Sequence, residues 1–176
     1  MNLGIFYKVD EDPSLPISLF GWTDSDWAGD VDSRRSTTGY CFTLGLGAIS
    51  WSSKKQPTIA LSSMEPEYRA ACSGTCEAIW LCHLLEDLGF PQKSHSLVLC
   101  DNQSCLAIAR NPVFHARTKH IEAQYHFVCE KVLDGTIALE YCNTSDNLAD
   151  LFTKALPHGL VLSHSRSQGL VPCPWI

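Results

Sequence analysis

The sequence has no apolar run of membrane-spanning length, no CxxC pair, no internal repeat and no low-complexity stretch. The first absence argues against a transmembrane helix. The opening MNLGIFYKVD also lacks the basic-then-apolar layout of a secretory leader, so an intracellular protein with no membrane partner is expected. Nine cysteines, an odd number without CxxC spacing, argue against a zinc site or a disulfide framework and read instead as reduced, buried small hydrophobes. Charge is scarce too: 18% of residues are charged, 13 basic against 19 acidic, for a net charge of −6. That balance excludes a domain that grips nucleic acid by bulk electrostatics, which needs many Lys and Arg against phosphates. A nucleic-acid partner would have to be held by local patches, by a metal site or by a tethered neighbour.

What is present is a globular composition, 45% hydrophobic over 176 residues, enough for one domain with a real core. LPISLFGWTD alternates as a strand, with Ser18, Phe20, Trp22 and Asp24 on one face and Ile17, Leu19, Gly21 and Thr23 on the other. GYCFTLG and AISWSSKK, joined around Gly45 to Gly47, complete an antiparallel meander. A long helix follows, with Tyr68, Cys72, Thr75, Ile79, Cys82 and Leu85 on its stripe, Ser62 or Ser63 as cap, and Gly89 with Pro91 as stop. SLVLCD predicts a strand and QSCLAIAR a helix ending at Asn111 and Pro112; a further helix runs from about Thr118 to Asp134. TIALEYC predicts a fifth strand and NLADLFTKAL a short last helix. The sum is an α/β layout with a five-stranded mixed sheet, spanning residues 1–157, followed by an irregular tail over 158–176.

The stretch TDSDWAGDVD concentrates four aspartates in ten positions. It fails as a calcium loop, because Ala28 and Arg35 stand where that loop needs a ligand and a closing glutamate. Two-metal phosphodiester hydrolysis needs acids from separate elements to converge on a pair of ions. Asp24 lies on a strand beside bulky Phe20 and Trp22, and Asp26 shares its parity but sits nearer the Gly29 turn. Glu65 opens the long helix on the core stripe that reaches Tyr68, Cys72 and Ile79, whereas Glu67, about 200° further round, is expected to face solvent. Asp101 ends an apolar strand just before a helix, a position where a metal and free helix N–H groups both act. Asp150 falls off the stripe of Leu148, Leu151, Phe152 and Ala155, and on pattern alone reads as an exposed helix acid.

TDSDWAGDVDSRRSTTGYCF, ISWSSKKQPTIALSSMEPEYRA, CDNQSCLAIARNPVFHARTKHIE and NLADLFTKALP resemble, in register from about Leu3 to Pro157, the ribonuclease H domain of copia-type LTR retrotransposon Pol polyproteins. The resemblance implies a ribonuclease H-like fold, Mg²⁺ (two ions, with Mn²⁺ as substitute), and cleavage of the RNA strand of an RNA–DNA hybrid during reverse transcription. It also implies the reverse transcriptase domain of a parent polyprotein as partner. Carried onto this chain, the family's four metal-binding catalytic acids fall on Asp24, Glu65, Asp101 and Asp150, with Asp26 demoted.

Arg34, Arg35, Lys54 and Lys55 are the expected phosphate contacts, and Trp27 and Trp51 are either stacking platforms or core residues. Cellular ribonucleases H carry a histidine just before the last acid; none lies between Tyr141 and Asp150, and His115 and His120 belong to another segment. Family members commonly have Thr at Met64 and Ala at Pro66, and proline is tolerated in a first helical turn. The alternative function is a catalytically decayed remnant that acts as a binding module or an inert domain.

Overall fold

A computed structural model describes residues 2–7, 18–92, 94–110 and 119–173. The Asn111 and Pro112 helix stop and His115 lie outside the described residues, as do the side chains of Lys119 and His120. The strands are β1 (Leu3–Ile5), β2 (Leu19–Ser25), β3 (Thr37–Leu44), β4 (Gly47–Lys55), β5 (Ser96–Cys100), β6 (Ile137–Tyr141) and β7 (Leu170–Pro172). The α-helices are α1 (Met64–Asp87), α2 (Gln103–Arg110), α3 (Lys119–Leu133) and α4 (His158–Ser167). Short 3-10 helices cover Thr144–Asp146 and Leu148–Phe152.

The main sheet has the order β4-β3-β2-β5-β6. The meander β2-β3-β4 is antiparallel, and β5 and β6 add to it in parallel. A strand can join a neighbour in parallel only after a crossover, and α1 supplies one before β5, as α2 and α3 do before β6. This is the five-stranded mixed α/β arrangement read from the sequence.

The alternation along β2 divides the two layers. Thr23 lies against Gly74 of α1, where a Cβ would collide with the threonine methyl, so the glycine lets the helix lie close on the sheet. Phe20 and Trp22 line a cleft with Leu148 and His164 of the opposite layer. Phe42, Tyr68, Ala71, Val98, Val128, Ile137 and Leu139 form the buried core between sheet and helices. Tyr68 ties α1 to α3: its ring stacks on Tyr125 with centroids 5.3 Å apart, and its hydroxyl donates to the Tyr125 carbonyl at 3.0 Å.

Glu65 ties the start of helix α1 to the turn before it. The Ser62 hydroxyl accepts from the Glu65 N–H at 3.4 Å, and Glu65 Oε2 accepts from the Leu61 N–H at 2.9 Å. Pro66 sits in the first turn, where its missing N–H costs nothing, and its carbonyl accepts from Gln56 Nε2 at 3.0 Å. The helix stops at Gly89, whose φ of 86° supplies the left-handed residue that lets the Phe90 N–H reach back to the Leu85 carbonyl at 2.8 Å.

The expectation of an irregular tail over 158–176 is corrected. Residues His158–Ser167 are helical, and Leu170–Pro172 pair antiparallel with Leu3–Ile5 at the other end of the chain. Gln168, buried, ties this segment to the domain by donating to the Leu148 carbonyl at 3.1 Å. Local periodicity could not show this, because the pairing joins residues far apart in sequence.

Candidate metal centre and nucleic-acid face

Three aspartates from three elements meet at one end of the sheet: Asp24 near the end of β2, Asp101 just after β5, and Asp150 in the 3-10 helix Leu148–Phe152. A carboxylate oxygen from each lies within 4.8 Å of the others. Asp24 and Asp150 are 1% and 2% exposed, so the expectation of Asp150 as an exposed helix acid is corrected. The sequence pattern assumed α-helical steps of about 100°, whereas the backbone here makes a tighter 3-10 turn.

That turn is fixed from both sides. Fully buried Asn147 accepts from the Ala149 N–H at 3.2 Å and donates from Nδ2 to the Thr23 carbonyl at 3.0 Å, clamping the turn to β2. On β3, Gly39 leaves room for the turn: a Cβ there would stand 2.6 Å from Thr153 Cγ2 and 3.1 Å from the Ala149 carbonyl oxygen. Thr153 in turn donates to Asp24 Oδ2, and Thr144 donates to Asp101 Oδ2 at 2.7 Å.

Glu65 is not part of this convergence. Its Oε2 accepts from the Leu61 N–H, and its Oε1 lies 2.6 Å from Arg69 Nη2, in an ion pair one helical turn along. Glu67 takes the position facing the aspartates, and the expectation that it faces solvent is corrected. A carboxylate oxygen of Glu67, the Cys100 sulfur and a carboxylate oxygen of Asp101 all lie within 4.8 Å of one another. Periodicity placed Glu65 correctly on a buried stripe but could not say what it is buried against. No local pattern identifies Glu67 as the acid of the cluster: Cys100 and Asp101, which approach it, are distant in sequence.

Burial, with mutual repulsion added, raises three of these carboxyls: Asp24, Glu67 and Asp150. Burial pushes Glu67 to about 9, reinforced by Asp24, Cys100 and Asp101. Burial lifts Asp150 to about 6, with Lys154 opposing and Asp24 adding. Asp24 is raised by burial against the pull of Thr153 and Lys154. Lys154 Nζ lies 2.9 Å from Asp150 Oδ1 and 3.5 Å from Asp24 Oδ2, an i,i+4 pairing that sequence reading passed over. Burial works against this ammonium, but the hydrogen bond to Asp150 and the charges of Asp24 and Asp150 outweigh it and raise its pKa.

The donor set suits a hard divalent cation. It consists of carboxylate oxygens from separate elements, and among the described residues Asp24 Oδ1 and Glu67 Oε2 are buried without a hydrogen-bond partner. A divalent cation among acids this close would favour their ionised forms.

The other aspartates of TDSDWAGDVD build the turn. Asp26 Oδ1 accepts from the Thr37 N–H, and Asp30 Oδ1 accepts from the Asp32 and Ser33 N–H groups, each at 3.0 Å. Asp30 also pairs with Lys55. Lys54 and Lys55 border a groove of about 750 Å³ that is also lined by Gln56, Thr58, Arg69 and Gln124. Arg34 is exposed with φ of 53°, while Arg35 is half-buried and donates from Nε to Ser33 Oγ at 3.2 Å. Trp27 and Trp51 are both exposed, which removes core packing as their role. Of the nine cysteines, all are free thiols and five are buried. Among the described residues no helix is long and apolar enough to cross a membrane.

No family model matches the chain. It is 48% identical over 139 residues to the retrovirus-related Pol polyprotein from transposon TNT 1-94 of Nicotiana tabacum, a match covering 79% of the chain and 10% of the relative. It is 40% identical over 171 residues to the corresponding polyprotein from transposon RE2 of Arabidopsis thaliana, covering 97% of the chain and 12% of the relative. The chain thus spans about a tenth of the length of the curated relatives it matches. Among solved structures it resembles RNase H1 from Halobacterium salinarum, with TM-score 0.52 and 12% identity over 77% of this chain and 94% of that one. It also resembles a compost-derived RNase H1 in complex with an RNA/DNA hybrid, with TM-score 0.53 and 12% identity over 77% and 94%. The fold is that of ribonuclease H, and over most of its length the chain is similar to a segment of the retrovirus-related Pol polyproteins of copia-type transposons.

Proposed function

We propose that this domain is a metal-dependent endonuclease that hydrolyses the RNA strand of RNA–DNA hybrids, with Asp24, Glu67, Asp101 and Asp150 as its ligand set. The observation that carries the proposal is the convergence of Asp24, Asp101 and Asp150 within 4.8 Å, with Glu67 beside Asp101. Glu67 replaces Glu65, whose carboxylate is engaged by Arg69 and the Leu61 N–H.

Mg²⁺, or Mn²⁺ in its place, would be held by these four carboxylates as a pair of ions and would supply an activated water and charge stabilisation for the leaving oxygen. The protein's part is positioning. Thr153 orients Asp24, Thr144 orients Asp101, and Asn147 clamps the turn that carries Asp150. Because these hydrogen bonds come from residues in separate elements, the acids are set by the fold and need little rearrangement on binding.

Lys54 and Arg34 are free to meet phosphates, and Lys55 is shared with Asp30. Trp27 presents an aromatic face to solvent for stacking. With a net charge of −6, tight retention of a hybrid falls to a tethered partner, for which the reverse transcriptase domain of a parent polyprotein is the candidate. The test is incubation of purified domain with an RNA-labelled hybrid and Mg²⁺. Cleavage that stops with EDTA and in Asp101→Asn is expected; no cleavage, or undiminished cleavage by that variant, refutes the assignment.

A further inference from the structure

One ammonium penetrates the carboxylate cluster. Lys154 Nζ spans Asp150 Oδ1 and Asp24 Oδ2, at 2.9 and 3.5 Å, joining the two most deeply buried acids of the site. The bridged side chains are 2% and 1% exposed, whereas 35% of the lysine side chain remains accessible to solvent. Lysine is a point charge on a flexible four-carbon stem, so it can leave these oxygens without moving the backbone. A divalent ion binds carboxylate oxygens at about 2.0–2.1 Å, closer than any ammonium, and repels a positive charge held against the same atoms.

From this geometry we propose that Lys154 is a built-in counter-cation: it holds Asp24 and Asp150 together in the metal-free domain and is displaced from them when a divalent ion binds, thereby setting the affinity of the site. The inference rests on the metal-site reading above. It gives Lys154 two opposing effects. In the metal-free protein it offsets repulsion between buried acids, and in the metal-bound protein it is a competitor that has been moved aside. Its charge, not its shape, does both.

Calorimetric Mn²⁺ titration of the wild type, Lys154→Met and Lys154→Arg tests this, together with thermal melts of each in EDTA and in saturating Mn²⁺. Lys154→Met is expected to bind Mn²⁺ roughly tenfold more tightly, as loss of a nearby positive charge requires. Its melting temperature should fall in EDTA and return to the wild-type value with Mn²⁺. Lys154→Arg, which keeps the charge, should stay within about threefold of wild-type affinity. If Lys154→Met is unfolded in EDTA, the inference requires it to fold on Mn²⁺ addition, seen by circular dichroism; failure to do so overturns it. Equal affinities with an equal loss of stability in both conditions reduce Lys154 to a packing residue and sink this inference alone. Binding by Lys154→Met but not by wild type supports it in extreme form. Absence of binding in both refutes the metal-site reading, and the counter-cation role falls with it.

Discussion

Arg69 Nη2 lies 2.6 Å from Glu65 Oε1, while two residues along the same helix Glu67 Oε2 is buried with no hydrogen-bond partner among the described residues. One glutamate is satisfied by the protein and the other is not, so their substitutions should act in opposite directions. Glu65→Gln is expected to lower stability by about 1–3 kcal/mol, because Arg69 loses its buried partner, and to leave Mn²⁺ affinity within about threefold. Glu67→Gln should stabilise the metal-free protein by removing a crowded acid and should weaken Mn²⁺ binding by at least about tenfold. Chemical denaturation and calorimetry of the two variants check this pair of signs.

Asp24 and Asp26 are separated in the same way. Asp26 accepts from the Thr37 N–H and shapes the turn, whereas Asp24 Oδ1 has no hydrogen-bond partner among the described residues. Asp26→Ala should cost about 1–2 kcal/mol and keep the heat of Mn²⁺ binding. Asp24→Asn should abolish that heat, and a binding isotherm for Asp24→Asn like that of the wild type would remove Asp24 from the ligand set.

The raised carboxyls give the metal-free protein an unusual pH dependence. Glu67 at about 9 and Asp150 at about 6 both lie above their unfolded values, so these two groups hold more protons in the native state than in the unfolded chain. The stability they contribute must then fall as pH rises, through the Asp150 window from about 4 to 6 and the Glu67 window from about 4.5 to 9. In EDTA the melting temperature should be higher at pH 5.5 than at pH 8.5 by several degrees. Glu67→Gln should flatten the slope. Mn²⁺ binding should release protons across the same range, detectable from the dependence of binding heat on buffer ionisation enthalpy.

Asn147 tests how the last acid is placed. Asn147→Leu removes the bonds to the Thr23 carbonyl and the Ala149 N–H and leaves both backbone groups buried. A loss of about 2–4 kcal/mol in urea unfolding is expected, with weaker Mn²⁺ binding because the turn carrying Asp150 is no longer clamped. A variant as stable as the wild type would show that packing alone sets the turn.

The order of elements along the chain, the meander and the placement of Asp24 on a strand and of Asp101 at a strand end were legible because strand alternation and strand-end position are local properties. The choice between Glu65 and Glu67 was not. Both lie in the first turns of α1 and both are screened from solvent, and what distinguishes them is their contacts: Arg69 and the Leu61 N–H engage Glu65, while Cys100 and Asp101 at the end of β5 approach Glu67. Asp150 was misjudged as exposed because a 3-10 turn was read with α-helical steps. The C-terminal strand escaped because Leu170–Pro172 are stabilised by Leu3–Ile5, a pairing across nearly the whole chain. Lys154 was visible only as an i,i+4 neighbour of Asp150, and its reach to Asp24 needed the fold.

The most direct measurement is cleavage of an RNA–DNA hybrid carrying a 5′-labelled RNA strand, followed on a sequencing gel with Mg²⁺ for wild type, Glu67→Gln and Glu65→Gln. The expected result is shortening of the RNA strand alone, stopped by EDTA, slowed at least about 100-fold by Glu67→Gln and less than about tenfold by Glu65→Gln. Cleavage that persists in EDTA, or a Glu67→Gln variant as fast as the wild type, would contradict a metal-dependent nuclease built on Asp24, Glu67, Asp101 and Asp150.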